Sequence, residues 1–81
     1  MWALVSTREI LRQIGARGYA VGMQRGEGAV EMRAVKLDDP DQRHIARSTD
    51  GDGEADAYRV AQMLAQMVGM EVNEGGTAGQ T

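Results

Sequence analysis

Hydrophobic positions near the start of the chain recur at the spacing of an amphipathic helix. Before them, Ser6 and Glu9 stand in the relative positions of a capping box, in which a serine hydroxyl accepts a hydrogen bond from the amide three residues on. Gly18 is the favoured stop, because glycine adopts the left-handed backbone that ends many helices. The pattern predicts a first helix over residues 7–17. Its apolar stripe consists of Ile10, Leu11 and Ile14.

After Gly18 the hydrophobic period shortens to two, as in a strand with one buried face. Three bulky residues, Tyr19, Val21 and Met23, alternate with smaller or polar ones. Two glycines within residues 25–28 can supply the positive φ of a hairpin loop. These features predict a first strand that begins at Tyr19 and a hairpin connection over residues 25–28.

Two further strands are predicted on either side of the one proline. The second covers residues 29–37, and its alternation breaks over residues 34–37, which indicates either a bulge or a strand end covered on both faces. Pro40 and the aspartates around it predict a turn over residues 38–41, because proline fixes φ and aspartate caps its own backbone. A short third strand is then expected over residues 43–48.

A long amphipathic helix follows a polar connector over residues 49–53. Glu54 and Asp56 suit the positive N-terminal end of this helix, and Gly69 is a natural stop. The apolar stripe of the helix consists of Ala57, Val60, Ala61, Leu64, Met67 and Val68.

The predicted order of elements is α-β-β-β-α. Three antiparallel strands joined by short loops form a meander, and two amphipathic helices cover one of its faces, which makes an α+β two-layer sandwich. We expect one domain over residues 1–72 and a disordered tail over residues 73–81, which has nothing to bury. The uncovered face of the sheet is expected to carry Glu31 and Arg33, with Arg43 or Arg47 as further candidates.

The composition predicts a thin core. Of the 81 residues, 42% are hydrophobic, but there is no Phe and there are six Met. Leu, Ile and Val are scarce, at about a sixth of the chain, which is below the level at which a large core forms easily. The absence of cysteine excludes disulfides and thiolate metal sites. In a small domain without such staples, either association with another chain or an unusually regular fold is expected to compensate.

Charge and hydropathy bear on partners and location. The net charge is −3, but residues 1–37 are basic and residues 38–81 are acidic. No apolar run approaches the ~18–20 residues that span a bilayer, so no membrane partner is expected. The start of the chain, with charge by Arg8, does not match a signal peptide, and the cytoplasm is the default location.

The acidic connector is the segment most similar to a ligand site. A calcium loop that starts at Ser48 places Asp50, Asp52 and Asp56 correctly, but Arg59 stands where the bidentate glutamate is needed. The carboxylates of the segment also oppose phosphate binding at the start of the second helix, because they would repel the anion. We therefore interpret the segment as a solvated loop whose acids cap the second helix.

No catalytic constellation is evident. His44 is the one histidine of the chain, and it has no second ligand or nucleophile at a suitable spacing. Carboxylates are plentiful but lie in predicted turns. The sequence therefore predicts a protein that is not an enzyme, with no catalytic residues, no metal and no cofactor.

In size and element order, residues 6–70 resemble the double-stranded-RNA-binding domain, and also small sandwich domains of phage and bacterial genomes that have no assigned activity. The first resemblance implies RNA contacts from the first helix, the first hairpin loop and the start of the second helix. Acidic residues stand in the third region, where the family has a lysine-rich cluster, and the loop lacks the Gly-Pro and His of the family. The residues that the resemblance implies as backbone contacts are Arg8, Arg12, Arg17 and Arg25.

Two hypotheses on function follow. The first is a small protein-interaction module that associates with itself, as the thin core and the methionine-rich second helix indicate. The alternative is a nucleic-acid-binding domain that contacts the phosphate backbone through its N-terminal arginines and therefore binds in a salt-sensitive manner.

Overall fold

The computed structural model describes residues 6–70, and its elements follow the predicted order. The strands form one antiparallel sheet in the order β1-β2-β3, which confirms the α+β fold class. The tail expected over residues 73–81 lies outside the described residues. Within the described part, no helix is long and apolar enough to cross a membrane. The elements are α1 (Thr7–Ala16), β1 (Tyr19–Gly26), β2 (Ala29–Lys36), β3 (Asp39–Ser48) and α2 (Glu54–Met67).

Helix α1 is capped at both ends much as its sequence predicts. The Ser6 hydroxyl accepts a hydrogen bond from the Glu9 amide at 3.1 Å. The Glu9 carboxylate does not complete the capping box; it accepts from the Arg12 side chain instead. The helix ends at Ala16, and Gly18 follows with a φ of 94°, in the left-handed region that favours glycine.

The connection between β1 and β2 is shorter than predicted. Only Glu27 and Gly28 form the turn, with φ of 56° and 78°, as a two-residue type I′ turn requires. Gly26 still belongs to β1 and pairs with Ala29. The loop predicted over residues 25–28 is therefore wrong by two residues, because the twist of a type I′ turn matches that of the strands and lets them pair up to the turn.

The connection between β2 and β3 lies earlier than predicted. Leu37 and Asp38 form it, whereas the sequence placed the turn over residues 38–41. Pro40 lies near the start of β3, an edge strand, where a missing amide hydrogen is tolerated. The third strand is therefore longer than expected. The pairing register shifts between Val35 and Lys36, where the sequence allowed a bulge, but the residues left without partners lie on β3.

Helix α2 begins at a glycine and ends at a glycine. At its start, the Asp56 carboxylate accepts from the Gly53 amide at 3.1 Å. At its end, Gly69 has a φ of 84°, and the Met70 amide donates to the Ala65 carbonyl at 2.9 Å. This is a Schellman motif, and it turns the buried Met70 back onto the core.

Both helices pack on the same face of the sheet and share one core with it. Five of its thirteen buried residues are alanines, so the core is as thin as the composition predicts. Side chains on the other face of the sheet alternate with the buried ones and point away from the helices. The core consists of Ile10, Ile14, Val30, Met32, Ala34, Ala46, Ala57, Val60, Ala61, Leu64, Ala65, Val68 and Met70. The uncovered face carries the expected Glu31 and Arg33, with both Arg43 and Arg47.

Candidate functional site

Three acids around the start of α2 make structural contacts. The Asp52 carboxylate accepts from the Gly28 amide in the first turn at 3.2 Å. Glu54 contacts the Arg25 guanidinium at 3.3 Å, and Asp56 caps α2. Residues 6–70 contain no group of three or more His, Asp or Glu that could hold a metal ion. Asp56 caps the second helix as we interpreted the segment, whereas Asp52 and Glu54 bind the first hairpin instead.

Arg25 fixes the tip of the first hairpin to the connector. Its Nε donates to the Asp52 carbonyl at 2.8 Å, and its guanidinium also reaches Glu54. Both partners precede or begin α2, so the β1–β2 turn is tied to the start of that helix. The resemblance to RNA-binding domains implies a phosphate contact for Arg25, but here its donors are directed at the protein itself.

The arginines of α1 do not form one basic surface. Arg12 donates to Glu9, and this hydrogen bond, more than that from Gln13, lowers the pKa of the exposed Glu9 to about 2. The same pair raises the pKa of Arg12. Arg8 and Arg17 are exposed and make no ion pair within residues 6–70, but they lie roughly half a turn apart around the helix axis. The nucleic-acid hypothesis thus stays a prediction.

His44 packs against a tyrosine in the structure. It lies 6.1 Å from the ring of Tyr19, centroid to centroid, across the buried Ala34 of the central strand. The Lys36 ammonium lies 5.9 Å from the centroid of the same Tyr19 ring. The small side chain of Ala34 leaves the space in which the two rings meet. His44 is therefore part of the packing at this end of the sheet.

Strand β1 forms one edge of the sheet, and two contacts determine which of its backbone N–H and C=O groups point away from β2. Gly26 pairs with Ala29 across the type I′ turn, and at the other end the Leu37 amide donates to the Gly18 carbonyl at 2.8 Å. These contacts place the even-numbered residues of β1 in the ladder with β2, because consecutive residues direct their backbone groups to alternate sides. The groups of the odd-numbered residues point outward from the sheet. These residues are Tyr19, Val21, Met23 and Arg25.

Over residues 19–24 the outer edge of β1 lacks the features that prevent edge strands from pairing, and Arg25 at its end is bound to Asp52 and Glu54. Residues 19–24 contain neither charge nor proline, and the pairing with β2 runs from Tyr19 to Gly26 without a bulge. Met23 is 46% exposed and Val21 is half-buried, so apolar side chains reach the edge. The edge is therefore open to another strand.

The opposite edge, formed by β3, is obstructed. The register shift near the end of β2 leaves Pro40, Asp41 and Gln42 without partners on that strand. Proline, bulges and charged side chains are the features with which natural sheets protect an edge. Further along β3, two of the three residues whose backbone groups point outward are arginines. These three residues are Arg43, Ile45 and Arg47.

The uncovered face of the sheet carries three arginines around an apolar side chain. Arg43 and Arg47 are exposed and make no ion pair within the described residues, whereas Arg33 contacts Glu31 at 2.8 Å. Ile45 lies between them on β3, opposite Arg33, and is 49% exposed. The face therefore combines free positive charge with an apolar centre.

The comparisons with known proteins are negative: no protein-family model, curated protein or solved structure matches this chain significantly. Function is therefore inferred from the fold and its surfaces. The edge of β1 was not predicted from the sequence. The signal that identifies it is the uncharged run over residues 19–24, compared with Pro40, Arg43 and Arg47 in the other edge strand.

Proposed function

We propose that the protein is a small interaction module, not an enzyme, which associates with a second copy of itself through the free edge of β1. The observation that carries the proposal is the contrast between the two edges of one sheet. Residues 19–24 offer outward backbone groups without charge, proline or bulge, whereas β3 has all three features. Two sheets of three strands would join along β1 into one sheet of six.

The register that uses this edge best is antiparallel and centred on Gly22. It opposes Val21 to Met23 of the second copy, and Tyr19 to Arg25, so no like charges face each other. A register centred on Met23 would oppose Arg25 to Val21 and lose an apolar pair. In the Gly22-centred register the outward groups of the odd-numbered residues bond to one another, and the two Gly22 residues form a non-hydrogen-bonded pair.

The expected stabilisation comes from hydrogen bonds and from apolar side chains at the seam. Each outward N–H and C=O that is now solvated would gain a partner, at a net ~0.5–1.5 kcal/mol per hydrogen bond. Met23, which is 46% exposed, would pack beside Val21 of the other copy and lose contact with water. Association would thus extend a core in which alanine is the commonest residue.

Sedimentation velocity on matched variants tests the proposal. Met23→Lys places a charge at the β1 edge, and Ile45→Lys places the same charge at a side chain of similar exposure, 49% against 46%, on β3. We expect a dimer for the native chain and for Ile45→Lys, and a dissociation constant at least about tenfold higher for Met23→Lys. A native chain that stays monomeric up to about 100 µM, or equal losses in both variants, would contradict the proposal.

A cross-link tests the register separately. The chain has no cysteine, and a Cβ at Gly22 would meet no atom within 4 Å, so Gly22→Cys is well tolerated. In a non-hydrogen-bonded pair the two Cα atoms lie about 4.5 Å apart, within the range that a disulfide spans. Oxidation should convert Gly22→Cys to a covalent dimer at low concentration, whereas Ile45→Cys should remain uncoupled. The reverse result would place the contact on β3.

A further inference from the structure

The uncovered face of the sheet carries a second inference, which does not depend on the pairing of β1. We infer that this face binds an acidic and partly apolar segment of a partner protein, such as one face of an amphipathic helix. Its outward side chains include three arginines and one glutamate, Glu31. The face is therefore positive, although the chain as a whole carries a net charge of −3.

The three arginines are placed to surround a ligand. Arg43 and Arg47 stand on one strand at a separation of about 13 Å, and Arg33 stands diagonally between them on the neighbouring strand. Arg43 and Arg47 form no ion pair within residues 6–70. A guanidinium binds a carboxylate through two parallel hydrogen bonds, so each is available for one acidic side chain.

An apolar centre favours a protein as the partner. Ile45 is 49% exposed in the middle of the arginine triangle, and Val35 lies half-buried beside Arg43. An interface with apolar anchors and surrounding arginines is typical of protein partners.

The same face is poorly suited to a nucleic acid. No aromatic side chain of the described residues lies on it, so it offers no platform on which bases could stack. Acidic side chains also stand in the turns at its two ends, with Glu27 at one and Asp38 at the other. A polyanion laid along the strands would meet these charges.

Fluorescence anisotropy with a labelled helical peptide, which carries Glu residues around a central Leu on one helical face, tests the inference. The decisive variant is the pair Arg43→Gln and Arg47→Gln. Its matched control is the pair Arg8→Gln and Arg17→Gln, which removes the same charge from exposed arginines on α1. We expect the β3 pair to weaken peptide binding about tenfold or more, and the α1 pair to leave it nearly unchanged.

Three further measurements make the result decisive. Ile45→Ser should also weaken peptide binding, since it removes the apolar centre without changing the charge. A duplex RNA and a single-stranded DNA at about 50 mM salt should bind more weakly than the peptide. Tighter nucleic-acid binding, equal loss in both arginine pairs, or no peptide binding would overturn the inference. Repeating the titration with Met23→Lys separates this face from the β1 edge, because peptide binding should survive that substitution.

Discussion

The two edges of this small sheet differ in the features that protect a strand from further pairing. β1 presents the uncharged residues 19–24 in a regular ladder, and β3 presents Pro40, an irregular segment and two arginines. With β1 open and β3 closed, the number of copies that can join through the sheet is limited. A sheet with two open edges can add copies without limit, whereas a sheet with one open edge closes into a two-fold dimer.

The difference is a matter of local sequence, since both strands pair with the same central strand. In β1 the type I′ turn at Glu27 and Gly28 keeps the ladder regular up to its end. In β3 the register shift interrupts the ladder directly after the turn. In our proposal, the association surface of this thin domain is defined by the protective features that the β1 edge lacks.

The largest expected effect comes from proline at matched positions on the two edges. The amides of Met23 and Ile45 both point outward, so either proline removes a hydrogen-bond donor that the folded monomer does not use. Met23→Pro should abolish the dimer in sedimentation equilibrium, and Ile45→Pro should leave it intact. Circular dichroism serves as the control that both variants remain folded. Dimers of equal strength in the two variants would remove the distinction between the edges.

A smaller effect is expected where the first hairpin is tied to the connector. Asp52→Ala removes the acceptor of the Gly28 amide and should lower the free energy of unfolding by about 1 kcal/mol. It should also weaken the dimer, because the end of β1 loses its support. Asp50→Ala is the matched control, since the Asp50 carboxylate accepts no hydrogen bond within residues 6–70. In urea unfolding, Asp52→Ala should have a lower midpoint than Asp50→Ala. Equal midpoints would show that the hydrogen bond from Gly28 to Asp52 does not contribute to the free energy of unfolding.

A modest gain is expected at the turn of the same hairpin. Among the described residues, Glu27 is the one non-glycine with positive φ, at 56°, where asparagine is favoured. Glu27→Asn should raise the free energy of unfolding by about 0.5–1 kcal/mol, and Glu27→Val should lower it. Both variants should keep the dimer, because the outer edge of β1 is unchanged. Thermal unfolding checks the order; a less stable asparagine variant would contradict the turn assignment.

The smallest effect lies on α1, away from the open edge. The hydrogen bond from Arg12 lowers the pKa of Glu9 from an ordinary 4.5 to about 2, so the contact stabilises the fold fully above pH 4.5. This stabilisation is lost as the pH falls from 4.5 towards 2. Carboxyl NMR should give a Glu9 midpoint near 2, and Arg12→Gln should move it towards 4.5. A midpoint at the ordinary value in the native chain would show that the contact does not form in solution.

The helices were predictable because their signals are local. Ser6 and Gly18 bound α1 as expected, and Gly69 ends α2, since capping depends on residues within a few positions of one another. The two turns were misplaced because their limits depend on strand pairing. Pro40 indicates a turn by itself, but the pairing of β2 with β3 moves that turn to Leu37 and Asp38.

The sequence predicted the chemistry of the surfaces only in part. The uncovered face with Glu31 and Arg33 was predictable from the alternation along β2, because successive side chains of a strand point to opposite faces of the sheet. The ties of Arg25 to Asp52 and Glu54 were not, since they join residues that are far apart in the chain. The open edge of β1 was also hidden, because the order of strands in the sheet must be known before an edge can be identified.

Amide hydrogen exchange tests most directly whether the protein dimerises through β1, because it measures the protection of the outward backbone amides themselves. In a dimer formed through β1, the amides of Val21 and Met23 are protected at high protein concentration and lose protection on dilution. The amides of Ile45 and Arg47 on β3 exchange fast at every concentration. Fast exchange of Val21 and Met23 at all concentrations, or protection that grows at Ile45 instead, would contradict the account.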